Sequence, residues 1–155
     1  RKFLGFSFTS CWEVKLRIAP QTKTKFKEKI RKLTSRSWSI SMKERIEKLR
    51  AYLLGWSGYF GIAQTRSVFL ELDEWMRRRL RMCLLKQWKQ CKTKLTNLVN
   101  LGIPEKWAGC VAFSRKGYWR LANTPQINKA LGLAYWQAQG LISLVGRYDE
   151  MLIST

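Results

Sequence analysis

Arginine side chains, whose guanidinium groups bind anions, are concentrated in one segment of this chain. Residues 77–79 are all arginine, and Arg81 follows after a single leucine. These arginines lie inside an apolar helical pattern and predict a folded, strongly cationic surface. The whole chain has 30 Lys and Arg against 10 Asp and Glu, a formal net charge of +20 over 155 residues. Because 46% of the residues are hydrophobic, a packed domain is expected. Nucleic-acid phosphate is the partner that fits such a surface.

Aromatic residues are interleaved with the basic ones. The candidates for exposed aromatic side chains are Trp38, Trp88, Trp107, Tyr118 and Trp119. Aromatic ring faces stack on unpaired bases while Lys and Arg hold phosphates, which is how proteins bind single strands and RNA loops. Core packing is the more common role of a tryptophan at helical spacing, and we assign Trp56 and Trp75 to the core.

Histidine is absent, which removes the commonest general base near neutral pH and the commonest metal ligand. The cysteines at positions 11, 83, 91 and 110 show no C-x-x-C spacing, and without histidine they make a poor zinc site. Cys83 lies on an apolar helical stripe, so we expect buried thiols in a reducing compartment. The sequence therefore predicts no bound metal and no cofactor.

Acidic residues are too sparse for polymerase chemistry, which needs two metal ions held by closely placed carboxylates. The only aspartates, Asp73 and Asp149, are far apart in sequence. Glu71 and Glu74 accompany Asp73, but helical spacing brings 71 and 74 together and turns 73 away. Ion pairs of this cluster with the arginines at 77–78 are expected instead. We predict no catalytic residue and a binding role.

Two uncharged runs, 51–65 and 130–146, are the candidates for membrane segments. Both are interrupted by Gly, Ser or Gln and fall short of the about 20 apolar residues that span a bilayer. We expect no membrane association and a cytoplasmic location. The sequence begins at Arg1 without an initiator methionine or signal peptide, and we expect a preceding segment in the full-length protein.

The elements that position these side chains begin with a predicted β-hairpin. Residues 3–8 and 14–18 each alternate apolar with small or polar residues, and a short connection at 10–13 separates them. Pro20 ends this pattern, and Thr22 is expected to cap the helix that follows.

Three long helices are predicted next. The first has one narrow apolar stripe, Phe26, Ile30 and Leu33, and is cationic almost all round. Ser41 and Glu44 form a predicted capping box for the second helix. Its apolar stripe has helical spacing throughout: Met42, Ile46, Leu49, Leu53, Trp56 and Phe60. Glycines 55, 58 and 61 near its end let another backbone approach or let the helix stop.

The third helix is predicted from about Ser67 to Lys89, with apolar residues on two sides that place it between neighbours. Shorter elements follow: a helix near 93–101 ended by Gly102, a helix start at Pro104, a loop at 114–117, and a helix from Pro125 toward Gly140. The predicted fold class is mainly α, a helical bundle with an N-terminal β-hairpin.

Several stretches resemble the maturase-specific domain of group II intron-encoded reverse transcriptases. The motifs that carry the resemblance are Ile-Ala-Pro at 18–20, Phe-Lys-Glu-Lys-Ile at 26–30, residues 33–42, Gly-Trp at 55–56, Tyr-Phe-Gly at 59–61, Leu-Asp-Glu-Trp at 72–75, residues 77–81, Gln-Trp-Lys at 87–89 and Ser-Arg-Lys-Gly-Tyr-Trp-Arg at 114–120. Residues 3–8 resemble the last strand motif of a polymerase palm. The chain departs from the family at Leu54 and Gly58, where members often have Arg and Asn, and at Cys91, where they often have Pro.

The resemblance implies a thumb-like bundle that follows a remnant of the palm. It divides the chain into a hairpin at 1–19, a basic thumb-like bundle at 20–91 and a C-terminal helical part of the maturase domain at 92–155. The implied partner is structured group II intron RNA, whose active fold the protein stabilises for splicing within a ribonucleoprotein particle. A template–primer duplex is a second implied partner. An upstream reverse transcriptase domain, which holds the nucleotide chemistry, is expected in the full-length protein.

The basic faces and the resemblance together give the candidate RNA-binding side chains. They are Lys23, Lys25, Lys27, Lys29, Arg31, Lys32, Arg36, Arg77, Arg78, Arg81, Lys89, Arg115, Lys116, Trp119 and Arg120.

Two alternatives to a maturase module stay open at this point. In the first, the chain is the thumb of an active reverse transcriptase whose catalytic palm is missing or on another chain. In the second, it is a general basic protein that binds RNA, DNA or a membrane surface.

Overall fold

A computed structural model describes residues 2–9, 12 and 15–154, and the fold is mainly helical as predicted. The helices in the described residues are α1 (Pro20–Leu33), α2 (Met42–Phe60), α3 (Arg66–Trp88), α4 (Cys91–Asn100), α5 (Glu105–Ala112), α6 (Tyr118–Leu121), α7 (Pro125–Ala130), α8 (Leu133–Ala138) and α9 (Leu144–Ile153). None of these helices is long and apolar enough to cross a membrane.

A small antiparallel sheet precedes the helices, with strands β1 (Lys2–Phe3), β2 (Phe6–Phe8) and β3 (Leu16–Ile18) in that order. The predicted hairpin is confirmed where β2 pairs with β3. The prediction of one strand over 3–8 is wrong, because Leu4 and Gly5 have φ of 51° and 84° and turn the chain back. Val14 and most of the 10–13 connection lie outside the described residues.

Helix α1 starts one turn earlier than a Thr22 cap requires. Pro20 occupies the first turn and Ala19 is the N-cap, without a side-chain hydrogen bond. Proline suits this position because the backbone N–H that it lacks would have no acceptor in the first turn of a helix. The buried Thr22 hydroxyl instead donates to the Gly5 carbonyl oxygen at 2.6 Å, which ties α1 to the sheet. The predicted apolar stripe of α1 is confirmed, since its three members are buried.

Helix α2 begins at the predicted cap, where the Ser41 hydroxyl accepts from the Glu44 backbone N–H at 3.2 Å. It ends at Gly61, where a Cβ would lie 2.7 Å from the Ser57 carbonyl oxygen and against the Met151 side chain. Of the two roles expected of the glycines, the end of the helix is confirmed at Gly61. Among the described residues, no other backbone supplies the atoms nearest to that Cβ, and Gly55 and Gly58 face open space.

Helix α3 is the central element and packs against α4, α6 and α9. Apolar residues are buried on both of its predicted sides: Phe69, Leu72, Met76, Leu80 and Cys83 on one, and Met82 and Leu85 on the other. The predicted position of α3 between neighbouring helices is therefore confirmed.

The C-terminal part contains short helices. The loop at 114–117 and the turn at Gly102, with φ of 91°, are where the sequence predicts them. The single helix predicted from Pro125 toward Gly140 is wrong, because the chain breaks at Leu131 and Gly132 into α7 and α8. A fully buried Trp136 fills the break, and its Nε1–H donates to the Leu131 carbonyl oxygen at 3.0 Å.

One hydrophobic cluster extends through these elements, from Phe6 in the sheet to Tyr148 in α9. The division of the chain at 19/20 and 91/92 stays a prediction.

Candidate nucleic-acid interface

A concave surface opens between the end of α1, the loop at 34–41, α3 and α6. Its volume is about 610 Å³. We call it the basic groove and define it by the side chains that give it chemistry: Arg31, Arg36, Trp75, Arg79, Lys86 and Trp119. No carboxylate is among the described residues that line it, so the groove attracts anions.

One face of α3 forms the floor of the basic groove. Trp75, Arg79, Met82 and Lys86 follow the spacing i, i+4, i+7, i+11, which places them on one side of a helix. The sequence therefore contained a signal for this surface. Arg79 and Lys86 are absent from the predicted RNA-binding residues, which in this part of the chain are Arg77, Arg78, Arg81 and Lys89.

The loop at 34–41 is fixed over α3 by hydrogen bonds from α3 side chains. Arg79 donates from Nε to the Thr34 hydroxyl at 3.0 Å and from Nη2 to the Thr34 carbonyl oxygen at 3.3 Å. The Cys83 thiol donates to the same carbonyl at 2.9 Å. Lys86 Nζ donates to the Arg36 carbonyl oxygen at 2.7 Å. These bonds hold the wall that carries Arg36 over the floor.

A buried arginine supports the same loop from behind. Arg45 in α2 is only 2% exposed. Its Nη1 donates to the carbonyl oxygens of Leu33 at 2.8 Å and Ser35 at 3.0 Å, and its Nη2 donates to that of Trp38 at 3.0 Å. Backbone carbonyls accept from both Nη atoms of this guanidinium, while its buried Nε–H has no hydrogen-bond partner among the described residues. Its positive charge adds to the potential of the groove.

Like charges crowd the groove. Partial burial lowers the pKa of Arg79, and the neighbouring charges of Arg31, Arg36 and Arg45 lower it further. The protein therefore holds these cations together against their mutual repulsion. A bound phosphate would relieve that repulsion, so the electrostatics favour an anionic ligand.

Two indole rings line the groove with the cations. Trp75 is half-buried, and the cationic groups of Lys27, Arg31 and Arg79 lie 5.3, 5.4 and 6.0 Å from its ring centroid. Assigning Trp75 wholly to the core is therefore wrong, whereas Trp56 is buried as predicted. Trp119 is half-buried, and the Arg78 guanidinium lies 3.9 Å from its ring centroid. This contact fixes the ring by cation–π stacking.

The other aromatic candidates lie outside the basic groove. Trp38 is 37% exposed and Trp107 is 51% exposed. Trp88 and Tyr118 are half-buried against the core. Exposure of aromatic side chains thus follows the prediction at Trp38 and Trp107.

The lysines of α1 divide into two groups. Lys23 and Lys27 face α3, where their Nζ atoms lie 3.2 and 3.8 Å from the Glu71 carboxylate. The remaining predicted cations of this helix and its following loop are exposed: Lys25, Lys29, Arg31, Lys32 and Arg36. Of these, Arg31 and Arg36 line the basic groove.

The arginines of α3 have mostly structural contacts. Arg78 donates from Nε and Nη2 to the Trp119 carbonyl oxygen at 3.1 and 3.0 Å. Arg81 is buried and donates from Nε to the Ala122 carbonyl oxygen at 2.8 Å. Burial lowers the pKa of Arg81 to about 10, with a further contribution from the charges of Arg77 and Arg78. Arg78 and Arg81 therefore attach α6 to α3, and Arg81 is only 7% exposed.

A second concave surface lies on the other side of Trp75, with a volume of about 570 Å³. Arg77, Arg78 and Arg81 line it, but so do Glu71 and Glu74. Its mixed charges make it a weaker phosphate site than the basic groove. The remaining predicted cations are exposed and line neither surface: Lys89, Arg115, Lys116 and Arg120.

Both aspartates have structural partners. Asp73 is 1% exposed and accepts from the Ser143 hydroxyl at 3.0 Å and from the backbone N–H groups of Leu144 at 2.9 Å and Val145 at 3.0 Å. Burial raises the pKa of Asp73 against the lowering effect of these hydrogen bonds. Asp149 forms a bidentate ion pair with Arg66.

The sequence predicts that the acidic cluster forms ion pairs with the arginines at 77–78. Among the described residues, its ion pairs are instead those of Glu71 with Lys23 and Lys27 of α1. Asp73 points away from Glu71 and Glu74, as helical spacing predicts, and caps the first turn of α9. The residues that the structure describes contain no group of three or more His, Cys, Asp or Glu positioned to hold a metal ion.

A comparison with protein-family models identifies one match. The model described as group II intron, maturase-specific domain matches residues 23–100, which include most of α1, all of α2, α3 and α4, and most of the basic groove. No curated protein matches the chain.

Proposed function

The chain belongs to the group II intron maturase-specific domain family, and on this premise we propose that it binds structured group II intron RNA through the basic groove and stabilises the fold in which that RNA splices. The observation that carries the proposal is the convergence of Arg31, Arg36, Arg79 and Lys86 on one concave surface without a carboxylate. Phosphates in a folded RNA are brought close together, and a preformed cluster of cations offsets their repulsion.

The exposed cations of α1 extend this surface. Lys25, Lys29 and Lys32 lie on the helix that leads to Arg31 at the groove. We assign to this extension contacts with RNA phosphates outside the groove, including those of a template–primer duplex. Phosphate contacts of this kind position an RNA without reading its sequence.

The chain itself works by binding, in our proposal, and nucleotide chemistry belongs to an upstream reverse transcriptase domain. Two observations support this. Asp73 is engaged in capping α9, and Asp149 is paired with Arg66. Neither aspartate is free to share a pair of metal ions with the other in the way that polymerisation requires.

Competition binding tests the proposed partner. The purified chain is bound to a labelled group II intron transcript at physiological salt, and unlabelled intron RNA, an unrelated structured RNA of equal length and anionic vesicles are added as competitors. We expect the intron RNA to compete at least tenfold better than the unrelated RNA, and the vesicles not to compete. Equal competition by both RNAs would show that the chain binds nucleic acids generally, without preference for intron RNA. Competition by vesicles would show that the chain binds a membrane surface.

A further inference from the structure

The basic groove combines two chemistries that a plain phosphate track does not need. Arg31, Arg36 and Lys86 supply exposed cationic groups, and the Trp119 indole supplies an aromatic face in the same concave surface. Its volume of about 610 Å³ lies within the range of pockets that hold small molecules. A surface that contacts only the outside of a duplex would require neither the concavity nor the indole.

Trp119 is the ring that remains available for a ligand. The Trp75 ring already has the cationic groups of Lys27, Arg31 and Arg79 within 6.0 Å of its centroid. Among the residues that the structure describes, the Trp119 ring has a single cation, that of Arg78, stacked 3.9 Å from its centroid. This guanidinium also donates twice to the Trp119 carbonyl oxygen, so the ring is held before any ligand arrives.

From this geometry we propose that the basic groove binds one unpaired nucleotide of the RNA, with its base stacked on the free face of Trp119 and its phosphate between Arg36 and Lys86. The inference rests on the proposed function, since it specifies which part of a structured RNA enters the groove. A paired base cannot insert between these walls, whereas a bulged or looped-out base exposes both of its faces.

In this proposal the basic groove, which we call the nucleotide pocket when it holds a base, selects for an unpaired base and accepts any of the four bases. The hydroxyl groups of Ser35 and Ser37, which also line the groove, are hydrogen-bonded to each other at 2.9 Å. Stacking on an aromatic face serves all four bases, because each base has a π-face. The structural feature that is read is therefore the bulge, while the cations contribute sequence-independent affinity.

The test compares two RNA hairpins of equal length, one fully paired and one with a single bulged 2-aminopurine, whose fluorescence falls when it stacks. We expect the chain to bind the bulged hairpin about tenfold more tightly, the order that stacking on one aromatic side chain contributes. The fluorescence of 2-aminopurine should fall on binding. Trp119→Leu should abolish the preference and the fluorescence change, while affinity for the paired hairpin stays within about twofold.

Trp107→Leu is the matched control, because Trp107 is an exposed tryptophan outside the groove, and it should retain the preference for the bulge. If Trp119→Leu does not fold, Arg36→Gln replaces it and should weaken binding of the bulged hairpin more than of the paired one. Equal affinities with unchanged 2-aminopurine fluorescence would overturn the nucleotide pocket while leaving the proposed function intact. Failure of the wild-type chain to bind intron RNA would instead overturn the proposed function.

Discussion

Asp73→Ala is expected to lower the free energy of unfolding by about 2 to 4 kcal/mol, because it leaves two backbone N–H groups of α9 without an acceptor. These N–H groups belong to Leu144 and Val145, and both hydrogen bonds are buried. The Asp73 carboxylate is the contact that joins the start of α9 to α3 by hydrogen bonds. Urea unfolding followed by tryptophan fluorescence measures the change.

Asp149→Ala is the matched control for this substitution, since it also removes one aspartate. Asp149 pairs with Arg66 at the surface, where solvent screening leaves an ion pair little net effect on stability. Asp73→Asn should fall between the two alanine variants, because an amide offers only one acceptor oxygen. Equal destabilisation by Asp73→Ala and Asp149→Ala would show that the cap does not hold α9 in place.

The triple variant Arg31→Gln, Arg36→Gln, Lys86→Gln is expected to lose most of the affinity for group II intron RNA. All three side chains are exposed in the basic groove, so the substitutions remove charge without opening the core. A plot of log K against log salt should become shallower by about 2 to 3, because each lost phosphate contact reduces the slope by about 0.7 to 0.9. Arg79 is left unchanged because it holds Thr34. Lys86 also holds the loop through the Arg36 carbonyl oxygen, and glutamine is chosen there because its amide keeps an N–H donor for that oxygen.

A charge-matched control separates the groove from net charge. Lys92→Gln, Lys106→Gln, Lys129→Gln removes the same number of charges from exposed positions of α4, α5 and α7 that do not line the groove. This variant should keep a salt dependence close to that of the wild-type chain. If the two triple variants lose equal affinity, the net charge binds the RNA and the basic groove has no special part in it.

Local periodicity accounts for what was predictable in the fold. The apolar stripe of α1 is buried, and that of α2 is buried except at its two ends, where Met42 and Phe60 are half-buried. Helix faces are predictable because they depend only on residues three and four apart. The turn at Leu4 and Gly5 was missed because a two-residue turn inside an alternating segment leaves the apolar pattern almost intact. Thr22 was misplaced because its partner, the Gly5 carbonyl, belongs to the sheet.

The candidate site was only partly predictable, because its walls come from separate elements. Arg31, Arg36 and Trp119 were predicted as RNA-binding side chains, but their meeting with Arg79 and Lys86 depends on how the loop at 34–41 folds over α3. No spacing rule along the chain contains that information. Arg81 shows the converse, since its charge is conspicuous in sequence while its contact with Ala122 exists only in the folded protein.

Photo-crosslinking of the chain to group II intron RNA, followed by mass spectrometry of the crosslinked peptides, tests the central claim most directly. The account predicts crosslinks at Trp119 and Trp75 and in the peptide that contains Arg31 and Arg36, because these residues line the basic groove. Crosslinks confined to the exposed surface of α5 around Trp107, with none in the groove, would contradict it.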